Sequence, residues 1–266
     1  MGEAILSGLI ASKDVPADVL ETSNFLVADP GQDRRSYLEK TYGVRCVDDA
    51  CKAEAADVVI LAVKPQVMMG VLQSLHGHGV FEGGAQGPLY ISIAAGLATD
   101  RLEAALPAAS RLVRTMPNTP LMVGKGAVAV CEGSQVDKAD VELVRDLFGC
   151  LGRACIVSED QMDAICAVSG SGPAYVAHMV EALRDAGVSF GLDADLAEGM
   201  ALQMVYGTAA LMVETGQSPE ATRISVCSPG GTTLAALDAM EEAGFDQVFQ
   251  AGVAAAVKRG KELGKL

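Results

Sequence analysis

The sequence predicts an α/β doubly wound parallel sheet followed by an all-α domain, and three observations carry that prediction. Between Met1 and Val157, short continuous apolar runs alternate with helical periods. After Ser158 the strand pattern stops and only helical periods remain. Several of the later helices are apolar around most of their circumference, so they need a partner surface to bury them. The 266 residues suffice for two domains, which we divide at 1–157 and 158–266.

The strand candidates are Phe25-Leu26-Val27-Ala28, Val58 to Val63, Leu89 to Ile93, Leu112-Val113 and Ala127 to Val130. Each is continuous rather than alternating, as in strands covered by helices on both faces. Helical periods at 33–42, 67–75 and 137–151 separate them, and strand–helix–strand spacing predicts parallel pairing. Ligands of such sheets lie at the carboxyl ends of the strands. In the second half, 162–168, 174–186, 195–213, 232–243 and 245–263 read as helices, with Gly187, Gly191, Gly216 and Gly244 at their ends. The stretch Leu196 to Val205 is apolar nearly all round, which predicts a homodimer with interlocking helices.

A formal net charge of −14 excludes a nucleic-acid partner, which wants a Lys/Arg face, and equally an anionic membrane surface. Glu198 and Gln203 interrupt the best apolar run, so no membrane span is expected. The cysteines are odd in number and form no paired framework, and no secretory leader precedes the first helical pattern. Free thiols in a reducing cytoplasm are therefore expected. Cys46 and Cys51 lack a second ligand pair at zinc spacing, so no metal is expected.

Met1 to Leu9 has the pattern of the helix that follows a Rossmann-like glycine turn, with Gly2 as the last glycine. The first strand and the first two glycines of that motif read as missing. In the motif, amides at the helix start hold the cofactor pyrophosphate. Asp29 ends the next strand, where an acid accepts from a ribose 2′-hydroxyl and selects NAD. Arg34 and Arg35 follow, and such a pair embraces a 2′-phosphate and selects NADP; a plain solvated turn fits the stretch as well. Ala62-Val63-Lys64-Pro65 ends the most apolar strand and places a cation there. Ser92-Ile93-Ala94-Ala95-Gly96 ends another with side chains small enough for a flat ring to approach, or for tight helix packing. Arg114 to Pro120 presents Asn118, whose amide can orient a cofactor carboxamide or serve as a structural turn.

Ser169-Gly170-Ser171-Gly172-Pro173-Ala174-Tyr175 reads as a turn at a helix start and lacks the ending of a P-loop. Ser228-Pro229-Gly230-Gly231-Thr232-Thr233 precedes a helix whose dipole favours an anion, and its paired glycines expose backbone amides. An ordinary Ser/Thr cap is the competing explanation. His76, His78 and His178 all lie outside these loops. Oxidation of an alcohol usually needs a base, whereas a protonated imine is already cationic and needs little acid–base help.

Taken together and in this order, these motifs, with Asp185-Ala186-Gly187-Val188, resemble the pyrroline-5-carboxylate reductase family over essentially the whole chain. The resemblance implies hydride transfer from NADPH, with NADH as the other candidate, to the cyclic imine carboxylate 1-pyrroline-5-carboxylate, giving L-proline. It implies that Gly230, Gly231, Thr232 and Thr233 hold the carboxylate, with Ser228 nearby and the Thr233 hydroxyl at the ring nitrogen. It places Met1 and Gly2 at the pyrophosphate, with Ala62 to Pro65, Ala94 and Ala95 along the cofactor and Asn118 toward the nicotinamide. It also implies an interlocked helical dimer, assembled into decamers in some members. Two residues depart from the family: Asp49 stands where many members have Asn, and Cys166 replaces a common Thr. A β-hydroxyacid-type dehydrogenase would want a Lys on the long apolar helix, and Asp195 to Val213 has none. A catalytically idle binding protein of the same fold is the other alternative.

Overall fold

The computed structural model describes residues 1–12, 22–52, 56–77, 84 and 87–264. Their Cα arrangement divides into two compact units, Met1–Ser171 with the stretch from Ala256 onward, and Gly172–Ala255. The expectation for His78 lies outside the described residues.

The first unit opens with α1 (Gly2–Ala11). Strand β1 (Leu26–Ala28), helix α2 (Gln32–Tyr42) and strand β2 (Arg45–Val47) follow, and β1 and β2 pair in parallel as a small sheet. A second sheet has the order β3 (Val58–Leu61), β4 (Leu89–Ser92), β5 (Arg111–Met116), β6 (Gly126–Glu132) and β7 (Gly152–Ile156). Helices α3 (Pro65–Gly77), α4 (Thr99–Ala105) and α5 (Lys138–Gly149) connect these strands.

Its junctions are parallel except one, where β5 and β6 run antiparallel with Thr115 opposite Val130. An all-parallel sheet was the expectation, and the correction has a simple cause. The link 117–125 is too short for a parallel crossover, which needs about a dozen residues or more. The architecture is otherwise the expected Rossmann-like α/β unit. Strands β2 and β7 and helix α4 are additions to the pattern read from sequence.

Continuous apolar strands are explained by two-sided covering. In β4, Ile91 joins Val113, Val128 and Val130 against Ile5 and Leu9 of α1 and Phe148 of α5. Its neighbour Tyr90 points the other way, among Met68 and Leu72 of α3 and Leu102 of α4. Helix α5 is anchored by a reciprocal cap, in which Asp137 accepts from the Asp140 N–H at 2.9 Å. Asp140 also pairs with Arg111 of β5 at 2.6 Å, tying the helix to the sheet.

Beyond β7 the chain is helical: α6 (Met162–Ile165), a π-turn at Cys166–Gly170, α7 (Gly172–Ser189), α8 (Ala194–Thr215), α9 (Pro219–Ser225), α10 (Thr232–Glu242) and α11 (Phe245–Leu263). In the second unit α7 packs on α8, burying Val180, Ala197 and Ala201. Most of its large apolar side chains stay exposed, including Phe190 at 92%, Met200 at 65%, Tyr206 at 63% and Val213 at 83%. Against the expectation, α8 is long and apolar enough to cross a bilayer by length and composition. Glu198 and Gln203 do not break this 22-residue helix.

Phe148 is 1% exposed at the centre of the α1–α5 face. Phe148→Ala is expected to lower the unfolding free energy by about 3–5 kcal/mol, measured by urea denaturation. A loss near zero would show that this face does not hold the first unit together.

Candidate active site

At the start of α1, Met1 occupies the capping position without a side-chain hydrogen bond. The first intrahelical bond is Ile5 N–H to the Met1 carbonyl, 3.1 Å, so the amides of Gly2, Glu3 and Ala4 have no acceptor within the helix. A Cβ added to Gly2 would lie 3.0 Å from Cβ of Ala62, just past β3. A side chain here would crowd Ala62, so glycine suits a helix that begins this close to the strand end. An uncapped, glycine-led helix start beside a strand terminus fits the pyrophosphate of a dinucleotide. Ala62 and Lys64 are exposed there, Val63 is half-buried, and Pro65 opens α3.

At the end of β4, buried Ala94 donates its N–H to the Ser92 hydroxyl at 3.3 Å, and half-buried Ala95 follows. Thr115 on β5 donates to the Ser92 carbonyl at 3.1 Å, holding the two strand ends in register. Past β5, Asn118 is buried. Its Nδ2 donates to the Ser169 carbonyl at 3.0 Å, and its Oδ1 accepts from the Ala127 N–H at 2.9 Å. The side chain thus acts as a bracket joining β6 and the π-turn to the end of β5.

Beyond β1, Asp29 Oδ1 accepts from the Gly31 N–H at 2.8 Å, and its carbonyl accepts from Arg35 Nη1 at 2.8 Å. Arg34 is held by Glu3 of α1, with Nη2 2.5 Å from Oε2, and lies 5.3 Å over the Tyr37 ring. The Tyr42 hydroxyl donates to the other Glu3 oxygen at 2.8 Å. The Arg34 and Tyr42 donors hold the Glu3 carboxyl below its ordinary pKa, while the bond to Glu3 pushes the Tyr42 phenol up to about 12. Sequence reasoning found Asp29 and Arg34 but missed Glu3 and Tyr42. The acid in the first turn after Gly2 was the available signal, but its pairing with Arg34 spans too much sequence to be read locally.

The second unit carries the other cluster. Gly230 adopts φ +70°, a left-handed conformation that favours glycine, and the Gly231 N–H closes the turn onto the Ser228 carbonyl at 2.9 Å. A Cβ on Gly231 would sit 2.4 Å from the Ser228 Oγ. Gly231, not a serine or threonine, occupies the capping position of α10, and no side chain caps it. The first intrahelical bond is Ala235 N–H to the Gly231 carbonyl at 3.3 Å. The amides of Thr232, Thr233 and Leu234 therefore have no acceptor within the helix, and no acid stands in its first turn. Gly231 and Thr233 are half-buried, whereas Ser228, Gly230 and Thr232 are exposed. Ser228 to Thr233 thus form one cluster, and the candidates from Met1 to Asn118 belong to the first unit.

The Ser169–Tyr175 stretch is continuous with the helices on either side. Its π-turn closes with the Ser171 N–H on the Cys166 carbonyl at 2.8 Å. Burial pushes the Cys166 thiol up, so it stays protonated and unreactive at neutral pH. Among the described residues, His76 lies in the last turn of α3 and His178 pairs with Glu181 on α7 at 3.1 Å, so neither lies in these loops.

A doubly wound sheet with a glycine-led helix start, followed by a helical unit with an uncapped helix start, is the arrangement of a nicotinamide-dependent oxidoreductase. Residues 159–263 match the family described as pyrroline-5-carboxylate reductase dimerisation, and residues 1–96 match that described as NADP oxidoreductase, coenzyme F420-dependent. A pyrroline-5-carboxylate reductase of Synechocystis is 43% identical over 100% of this chain and 95% of its own. The solved reductase of Coxiella burnetii superposes with a TM-score of 0.89 at 36% identity, covering 100% of this chain and 95% of that one. A Plasmodium falciparum pyrroline carboxylate reductase solved with NADP bound gives 0.83 at 29% identity, covering 99% and 94%. The chain belongs to the pyrroline-5-carboxylate reductase family.

Asn118→Ala removes both bracket bonds and strands buried partners, so it is expected to cost about 2–3 kcal/mol of stability. Urea unfolding checks this, and a stability unchanged within error would refute the bracket.

Proposed function

We propose that the protein reduces 1-pyrroline-5-carboxylate to L-proline in proline biosynthesis, a bound reduced nicotinamide supplying the hydride. The observation that carries this reading is the uncapped, glycine-led start of α10, a seat for a carboxylate next to two threonine hydroxyls. The family supports NADP as the cofactor, since a relative was solved with it, and NAD stays open through Asp29.

Each residue has a role in this proposal. The amides of Thr232 and Thr233 with Gly230 and Gly231 bind the substrate carboxylate, where the α10 dipole supplies roughly half a positive charge. The Ser228 hydroxyl lines the same turn. The Thr233 hydroxyl accepts from the protonated ring nitrogen and keeps the imine in orientation. Met1 and Gly2 hold the pyrophosphate; Asp29 and Arg34 face the adenosine ribose; Ala62, Val63, Lys64 and Pro65 line the cofactor. Ala94 and Ala95 admit the nicotinamide ring, and Asn118 stiffens the loop at that end. Residues 1–157 form the dinucleotide-binding domain and 158–266 the helical substrate and dimerisation domain, a division supported by the match at 159–263.

The exposed apolar side chains of α8 support a homodimer rather than a membrane span, because the matched family is a dimerisation domain. Decamers would assemble from such dimers. None of the seven cysteines is joined in a disulfide in the structure, which supports a cytoplasmic setting.

The decisive experiment adds NADPH or NADH and pyrroline-5-carboxylate to the full chain and follows cofactor oxidation. No oxidation overturns the reductase reading and leaves the idle binding protein in its place. Thr233→Ala is expected to lower kcat at least about tenfold, the scale of one lost charge-assisted hydrogen bond, with cofactor Kd within about twofold. Unchanged turnover would remove the hydroxyl from the mechanism.

For assembly, Met200→Asp places a charge on the exposed α8 face and is expected to shift sedimentation from dimer to monomer. A variant that stays dimeric would place the interface elsewhere.

A further inference from the structure

We infer that Glu3 is a specificity-determining residue: by gripping Arg34 it withholds that guanidinium from a 2′-phosphate on the cofactor's adenosine ribose. The inference rests on the dinucleotide reading above and deepens it at one end of the cofactor.

Two cations follow β1, and both are engaged within the protein. Arg35 donates to the Asp29 carbonyl at 2.8 Å. Arg34 is paired with Glu3 at 2.5 Å and lies 5.3 Å over Tyr37. The grip is itself held from behind, since Tyr42 donates to the free oxygen of Glu3 at 2.8 Å and packs edge-on against Tyr37 at 6.5 Å. The first turn of α1 and both ends of α2 thus form one arrangement, with Glu3 at its centre.

The charge balance gives the direction. Glu3 and Asp29 together cancel Arg34 and Arg35, so a 2′-phosphate meets no net positive field here and must compete with a carboxylate for Arg34. A ribose hydroxyl carries no charge and needs no such cation. It can donate to the Asp29 carboxylate, whose second oxygen remains for it when Oδ1 takes the Gly31 N–H. The pair is partly exposed, 42% for the Arg34 side chain and 27% for Glu3, so competition is open and the effect is graded. Glu3 therefore lowers the preference for the phosphorylated cofactor without abolishing its binding. Its own carboxyl is held below the usual range, so the grip persists across neutral pH.

Calorimetric titration of the full chain with ADP and with 2′,5′-ADP isolates this end of the cofactor. Glu3→Gln is expected to tighten 2′,5′-ADP by about five- to tenfold, the scale of one freed charged donor, while ADP changes less than about twofold. Tyr42→Phe alters no charge and loosens the grip from behind, so a gain of about two- to threefold in the same direction reads restraint rather than field. On an Arg34→Ala background, Glu3→Gln is expected to change 2′,5′-ADP affinity less than about twofold. The NADPH:NADH ratio of KM values should follow the same order. Unchanged or weaker 2′,5′-ADP binding in both Glu3→Gln and Tyr42→Phe overturns the proposal. Binding of neither nucleotide by the unaltered chain overturns the dinucleotide reading itself, and this inference with it.

Discussion

An α-helix begins with amide groups that its own carbonyls cannot reach, and a protein must satisfy them with a side chain, water or a ligand. This chain treats its helix starts in two ways. Helices α5, α8 and α9 are closed by Asp137, Asp193 and Ser218, whose oxygens accept from the first turn. Helices α1 and α10, led by Met1 and Gly231, carry no such cap, as is also true of α2 and α4. The open starts of α1 and α10 fall where the family reading needs an anion. The protein has a formal net charge of −14, yet the proposed cofactor and substrate are both anionic. Oriented backbone amides resolve that conflict, because they give local positive potential without altering the net charge.

The second unit poses the opposite problem. Its helices bury few side chains among themselves, and α8 keeps only Ala197 and Ala201 covered. An apolar face of that extent is unstable in water unless another surface covers it. A bilayer and a second copy are both physically adequate covers. Match to a dimerisation family favours the copy, as do the three carboxylates, Asp195, Glu198 and Glu214, that α8 carries. Small residues at Ala197 and Ala201 let α7 of the same chain approach α8 closely.

Much of this was legible in the sequence, for identifiable reasons. Strands β3 and β4 are continuous β-branched or aromatic runs, and doubly buried strands leave that trace. Helices α8 and α10 were legible from long apolar or helical stretches closed by Gly216 and Gly244. Strands β2 and β7 were not legible, because Arg45-Cys46-Val47 is very short and Gly152-Arg153-Ala154 begins with a glycine and a charge. The antiparallel β5–β6 pairing depends on the length of a connection, which continuous apolar runs do not encode. The site divides similarly. Gly230 and Gly231 signalled their turn through composition alone, whereas Asn118 showed its two-sided bracket only once Ser169 and Ala127 were brought beside it. The Glu3–Arg34 contact joins two helices distant in sequence and had no local signature.

The chemistry of the α10 turn ties these points to one substrate class. A threonine hydroxyl is too weak an acid or base near neutrality to take a proton from an alcohol, so Thr233 is a poor centre for alcohol oxidation. It is well suited to a substrate whose nitrogen already carries its proton, where the task is orientation rather than proton removal. In the proposed role, amides of the same turn meet a carboxylate, and Thr233 is the second residue of the helix. A molecule with a carboxylate on the carbon next to a cationic imine nitrogen satisfies both groups at once. That pairing of groups is the link that the proposed reading draws between the start of α10 and a cyclic imino acid.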